Sequence, residues 1–248
     1  MNIYPLATLE TNYAYIIKAS QGVIVVDPGS FEDVDQYLIS KGLVLSAILL
    51  THKHWDHVGG VEKLVQKYQC PVYGGANEAF EFDVNGIEHQ ADILIDGLMV
   101  KGIHLPGHTM GACGFLIEDC LFTGDVLFGG GCGRIFEGSA EDMLLSMDRI
   151  LELPDNTRVY FGHEYTASNL KFAAFVEPEN ATIAQRKSQE GMVTTPSTLQ
   201  VEKATNPFLR IDNASIMQAL KERFGESLSR AERFGQLRSW KNEFDQGS

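Results

Sequence analysis

Seven consecutive residues, Thr51-His52-Lys53-His54-Trp55-Asp56-His57, constrain this chain more than any other stretch. Residues two apart on extended backbone point the same way, so His52 and His54 suit one metal ion. Adjacent residues diverge, so Asp56 and His57 suit a neighbouring ion. A lone histidine is ordinarily a satisfied core or surface residue, but packing gives no reason to gather three imidazoles and a carboxylate here. The stretch predicts a metal site for two ions. Its surroundings place it: Leu45–Leu50 reads as a buried strand that ends just before it, and Gly59-Gly60 admits a helix through about Tyr68. Open α/β sheets bind ligands at such strand ends.

The rest of the chain repeats this arrangement. Residues 13–17 and 23–26 read as strands separated by Ser20-Gln21-Gly22. Asp27-Pro28-Gly29 follows, with Asp27 either forming the turn or supporting the metal ligands. Residues 31–41 predict a helix closed by Gly42. Short strands and turns fill residues 72–100, where His89 reads as a surface residue. A strand at 103–105 leads into Pro106-Gly107-His108-Thr109, which exposes His108, while His104 takes a structural role. Residues 115–117 and 120–122 form a hairpin ending at Thr123-Gly124-Asp125. Ser139 and Asp142 open a helix to about Leu153. The last core strand, 159–161, runs into Gly162-His163. Helical patterns then occupy 169–176, 179–190, 214–224 and 229–244, with a polar connection at 191–207. The expected organisation is a mixed α/β domain over residues 1–164 and a helical domain over 165–248.

His108, Asp125 and His163 thus join the first stretch at strand ends. Five histidines and two aspartates serve two ions, with Asp125 as the natural bridge. Cations ~3.5–4 Å apart make a hydroxide available near neutral pH. These residue types suit zinc, iron or manganese, and zinc is the first expectation. The formal net charge of −13 argues against nucleic acid and requires local basic residues for any anionic substrate. No apolar run spans a bilayer, and the N-terminus lacks the pattern of a signal peptide, so a cytoplasmic location is expected. Four scattered cysteines read as reduced thiols.

Thr51–His57 with Val58-Gly59-Gly60, Pro106-Gly107-His108-Thr109, Thr123-Gly124-Asp125 and Gly162-His163-Glu164-Tyr165 together resemble the metallo-β-lactamase superfamily. Within it, the closer resemblance is to glyoxalase II, the hydroxyacylglutathione hydrolases, over nearly the whole chain. The resemblance implies an α/β, four-layer αβ/βα sandwich followed by a C-terminal helical domain. It implies His52, His54 and His108 on one metal, Asp56, His57 and His163 on the other, and Asp125 between them. One position departs: Ala112 stands where the family usually has a histidine that is not a ligand.

The superfamily fold alone does not choose a substrate. Gly130-Gly131-Cys132-Gly133-Arg134-Ile135-Phe136-Glu137-Gly138 resembles the family's substrate loop, which marks Arg134 and Phe136. Tyr165 matches a glutathione contact, and Leu237-Arg238-Ser239-Trp240-Lys241 resembles the glutathione-binding end. Arg238 and Lys241 are three apart, so they share a helix face and suit a carboxylate. Taken alone they read equally well as a solvated face, and the glycine run as a flexible turn. The implied reaction is hydrolysis of S-D-lactoylglutathione to glutathione and D-lactate by a metal-bridging hydroxide, in methylglyoxal detoxification, with Asp56 and Asp125 catalytic and the chain a monomer. The rivals are a one-iron glutathione persulfide dioxygenase, a lactonase- or lactamase-type hydrolase, and a non-catalytic metal-binding module. Structural zinc sites favour closed, often thiolate, ligand sets, and no cysteine joins this constellation.

Overall fold

The structure, a computed structural model, describes residues 1–188, 193–226 and 229–247. The chain begins with β1 (Ile3–Thr8), β2 (Asn12–Lys18), β3 (Val23–Val26), α1 (Phe31–Lys41), β4 (Leu45–Leu50), α2 (Trp55–Val58), α3 (Val61–Tyr68), β5 (Val72–Gly75) and β6 (Asn85–Ile87). It continues through β7 (Asp92–Ile95), β8 (Leu98–His104), β9 (Cys113–Ile117), β10 (Cys120–Gly124), β11 (Leu127–Phe128), β12 (Gly131–Cys132), α4 (Ala140–Leu151) and β13 (Arg158–Phe161). The last part holds α5 (Thr166–Val176), α6 (Ala181–Ser188), β14 (Ser197–Thr198), α7 (Leu199–Thr205), α8 (Ala214–Phe224) and α9 (Arg230–Gln246).

Two six-stranded sheets, β1-β2-β3-β4-β5-β6 and β14-β13-β10-β9-β8-β7, form the inner layers. Side-chain alternation shows how they are covered. Val23 and Val25 of β3 pack outward with Val34 and Leu38 of α1 and Val61 and Leu64 of α3. Ile24 and Val26, on the opposite face, join Phe115, Phe122 and Phe161 of the second sheet. Strand β4 lies between parallel neighbours β3 and β5, which accounts for its unbroken apolar run. Met143, Met147 and Ile150 of α4 cover the second sheet together with Phe234 and Leu237 of α9. This is the four-layer αβ/βα sandwich with a helical C-terminal region that the resemblance implied.

Local chemistry sets the helix ends. Ser30 accepts from the Asp33 amide, and α1 stops at Gly42 in the left-handed region, φ +60. Ser139 and Asp142 make a reciprocal capping box on α4. Two features add to the sequence expectation. Asp56 and His57 stand on a short helix of their own, α2, ahead of the helix expected after Gly59-Gly60. Within the expected connection 191–207, β14 pairs antiparallel with β13, and α7 follows with Thr198 as its cap. Both segments are too short for periodicity to reveal, and residues 189–192 lie outside the described ones.

Candidate metal centre and substrate cleft

The C-terminal ends of β4, β8, β10 and β13 deliver the seven predicted ligands to one end of the sandwich. His52, His54 and His108 form one group whose ligating atoms lie within 4.8 Å of one another, and Asp56, His57 and His163 form another. In the first, His54 Nδ1 is 3.0 Å from both His52 Nε2 and His108 Nε2. In the second, His163 Nε2 lies 3.3 Å from both His57 Nε2 and Asp56 Oδ2. Asp125 stands between them: Oδ2 is 3.6 Å from His108 Nε2 and 3.2 Å from His163 Nε2, and Oδ1 is 3.2 Å from His57 Nε2. Backbone without side chains makes this approach possible. A Cβ on Gly162 would lie 2.3 Å from Asp125 Oδ1.

The outward ring nitrogens are held by partners that aim the inner ones. His57 Nδ1 donates to Asp27 Oδ2 at 3.0 Å, and His108 Nδ1 donates to the Arg134 carbonyl at 2.8 Å. Thr51 Oγ1 donates to Asp27 Oδ2 at 2.6 Å and so accepts from His52 Nδ1 at 3.1 Å. Asp27 therefore supports the ligands while also occupying the turn, at φ +50. Burial, then the neighbouring His57, lowers the pKa of His52; burial likewise dominates at His108. Both imidazoles stay neutral and keep a lone pair for a cation. Burial alone would raise the Asp125 pKa, but His57 and His163 outweigh it and keep the carboxylate ionised.

This donor set fits divalent metal ions. Asp125 Oδ1 is buried and makes no hydrogen bond, a costly state for a carboxylate oxygen unless a cation takes it. His52 and His108 donate outward through Nδ1, so both Nε2 lone pairs face His54 Nδ1 at 3.0 Å, and one proton there cannot serve both as a shared cation can.

A cleft of about 670 Å³ opens beside the ligands, and its wall includes His108, Asp125, Arg134, Phe136, Tyr165, Arg238 and Lys241. All five residues predicted to meet substrate thus share one cavity with the candidate metal centre. The Tyr165 ring stacks on His163 at 4.7 Å, and Phe136 sits edge-on to His108 at 5.2 Å. Arg238 and Lys241 do share a helix face, but it is not solvated: they are 5% and 3% exposed. Arg238 Nη1 donates to the Cys132 carbonyl at 2.7 Å, and Lys241 pairs with Asp245. Nor is the glycine run a free turn. Asn169 Nδ2 donates to the Gly129 carbonyl, Asn206 Nδ2 donates to those of Phe128 and Gly131, and Glu202 accepts from the Gly130 amide.

Comparison with known proteins bears on the same two regions. The metallo-beta-lactamase superfamily model matches residues 7–163, and the hydroxyacylglutathione hydrolase C-terminus model matches residues 164–244. A hydroxyacylglutathione hydrolase of Shewanella pealeana is 43% identical over 98% of this chain and 100% of its own length. The chain belongs to the hydroxyacylglutathione hydrolase family. Among solved structures, ETHE1 from Myxococcus xanthus is similar with a TM-score of 0.71 and 27% identity, covering 96% of this chain and 90% of that one. TTHA1623 in a di-iron-bound form has a TM-score of 0.62 and 28% identity, covering 84% of this chain and all of the other.

Ala112 stands where the resemblance implied a histidine. It is buried at 2% exposure in the apolar core, and its carbonyl accepts from Leu105. It offers no polar contact to the centre. Other supporting residues escaped the sequence reading. Asn12 Nδ2 donates to Asp56 Oδ2 at 2.9 Å and to the Asp56 carbonyl at 3.1 Å, while Thr11 Oγ1 meets His163 Nδ1 at 3.0 Å. Both lie at the β1–β2 turn, where polar residues are ordinary. No local signal separates them from any other turn. His89 is exposed and His104 bonds the Met110 carbonyl, so both take the bland roles expected of them.

Proposed function

We propose that this chain hydrolyses S-(2-hydroxyacyl)glutathione thioesters, S-D-lactoylglutathione giving glutathione and D-lactate, in methylglyoxal detoxification. The observation that carries the reading is one cleft joining the Asp125–His108 edge of the metal centre to buried Arg238 and Lys241. Glutathione carries two carboxylates, and cations desolvated in a cleft wall bind carboxylates more strongly than exposed ones do. His52, His54 and His108 would hold one divalent ion, Asp56, His57 and His163 a second, and Asp125 both. Bound there, such ions supply Lewis-acid polarisation of the carbonyl and a water whose pKa falls to about 7. Zinc is our first assignment, with iron or manganese suited to the same donors. The di-iron form of TTHA1623 supports a two-ion reading.

The chain's own residues do the rest. Arg134, Arg238 and Lys241 hold the glutathione carboxylates, while Phe136 and Tyr165 wall the path to the centre. Asp56, aimed by Asn12, orients the attacking water and takes its proton. The departing thiol has a pKa near 8.5, so no dedicated acid is needed. Residues 1–164 would thus carry the chemistry, and residues 165–248 the grip on glutathione. One chain supplies every residue named, so a monomer suffices. Among the described residues, no helix is long and apolar enough to cross a membrane; we assign the protein to the cytoplasm.

The test is thiol release from S-D-lactoylglutathione by metal-replete protein beside a chelator-treated sample. Fast, chelator-sensitive release is expected. No release from protein holding two metals would point to a different substrate on the same sandwich, and oxygen uptake with glutathione persulfide would favour a dioxygenase. An Asp56→Asn variant should keep the fold and lose at least tenfold in kcat. Full turnover with both metals bound would remove Asp56 from the chemistry.

A further inference from the structure

We infer that Glu78, acting with Lys53, is a positioning residue that holds the His52–His54–His108 group in register. The inference rests on the metal reading above. Glu78 lies just past β5, its side chain is 1% exposed, and no step of the proposed chemistry uses it. A buried carboxylate is costly unless it is bonded, so its partners show what it does. Glu78 Oε2 accepts from Thr109 Oγ1, and Oε1 accepts from the Ala79 amide at 3.1 Å. Lys53 Nζ lies 3.6 Å from Oε1.

Those partners sit at telling places in the chain. Thr109 follows His108 and is fully buried, and Lys53 stands between His52 and His54. One carboxylate therefore ties together the two loops that carry the three imidazoles. The tie extends to the substrate loop: Lys53 Nζ is 2.8 Å from Glu137 Oε1, and Glu137 Oε2 accepts from the Met110 amide at 2.9 Å. Glu137 follows Phe136, whose ring packs on His54 and His108. Backbone packing leaves the loop little slack, since a Cβ on Gly111 would lie 2.3 Å from Glu78 Cα. Imidazoles from separate loops bind one ion well only if their nitrogens are held to within about 0.5 Å. A surface ion pair would do none of this; the buried carboxylate bonded beside His108 does.

The test is metal binding. Metal-free wild type, Glu78→Gln, Thr109→Val, Thr109→Ser and Lys53→Met are titrated with zinc against a chromophoric chelator, and folding is followed by circular dichroism. Wild type should bind two ions. Glu78→Gln and Thr109→Val should each weaken one of them about tenfold or more and leave the other within about twofold. Lys53→Met should act in the same direction, and Thr109→Ser should restore wild-type binding. If Glu78→Gln fails to fold, the Thr109 and Lys53 variants decide. Wild-type affinities for both ions in the folded variants, or equal weakening of both, would overturn the inference while leaving the metal reading intact. A wild type that binds no zinc would overturn both.

Discussion

Arg238 and Lys241 are buried in a cleft wall, and that sets their behaviour. Arg238 is bonded by Cys132 and Asn242, yet its Nε is buried without a partner. Hydrogen bonds to charged groups contribute about 1.5–3 kcal/mol. Replacing Arg238 by Ala should therefore raise KM for an acylglutathione roughly 10- to 100-fold and leave kcat within a few-fold; steady-state kinetics decides. At Lys241, burial lowers the pKa below the ordinary 10.5, with Asp245 opposing it and Arg238 reinforcing it. The lysine therefore loses its charge at lower pH than a free one. KM should rise on the alkaline side, starting below pH 10.5, while kcat stays flat. Between the lowered pKa and 10.5 the unfolded chain holds a proton the native chain has released, so Lys241's contribution to stability grows as pH rises there. A Lys241→Arg variant, always charged, should abolish the alkaline rise in KM.

At the scale of elements, the segment between β11 and β12 bends to the helical region. Its carbonyls and amides end on Asn169 of α5, Glu202 of α7 and Asn206 just past α7. Glu202 is fully buried and also pairs with Arg186 at 2.6 Å and accepts from Ser197 Oγ at 2.5 Å. Removing one partner of a buried pair leaves an uncompensated charge, at a cost of about 3–5 kcal/mol. Glu202→Ala should lower the unfolding free energy by that amount, seen as a lower urea midpoint with the slope unchanged. It should also raise KM, because the Gly130 amide loses its acceptor; a stability loss with unaltered KM would separate the segment's anchoring from substrate binding. The helix caps show what was legible at this scale. Gly42 at the end of α1, and Ser139 with Asp142 at the start of α4, act within three or four residues of a helix end, so local sequence suffices to find them. The short α2 and β14 lack any such signal.

Across the whole molecule, the candidate metal centre joins the two sheets. Its ligands come from the ends of β4 and of β8, β10 and β13, so an ion held there ties one half of the sandwich to the other. Metal at about 1,000 times its Kd adds about 4 kcal/mol of stability. Chelation should lower Tm by several degrees, and zinc should restore it, as followed by calorimetry. An unchanged Tm would mean that the ligands pack equally well without ions.

The amino-acid sequence by itself determined the ligand stretch, the later strand-end ligands and most helix and strand positions. Metal chemistry demands rare residue types, and secondary structure leaves short-range periodicity, so both can be read along the chain. The tertiary structure alone decided which ordinary residues make the site work. Asn12 reaches Asp56 across 44 positions, and Glu202 reaches Gly130 across 72. The turn asparagine and the helical glutamate look like any others in their own neighbourhoods. Only long-range packing put them beside a candidate ligand and a loop of the cleft, and only burial turned the face of Arg238 and Lys241 from solvent into a cleft wall.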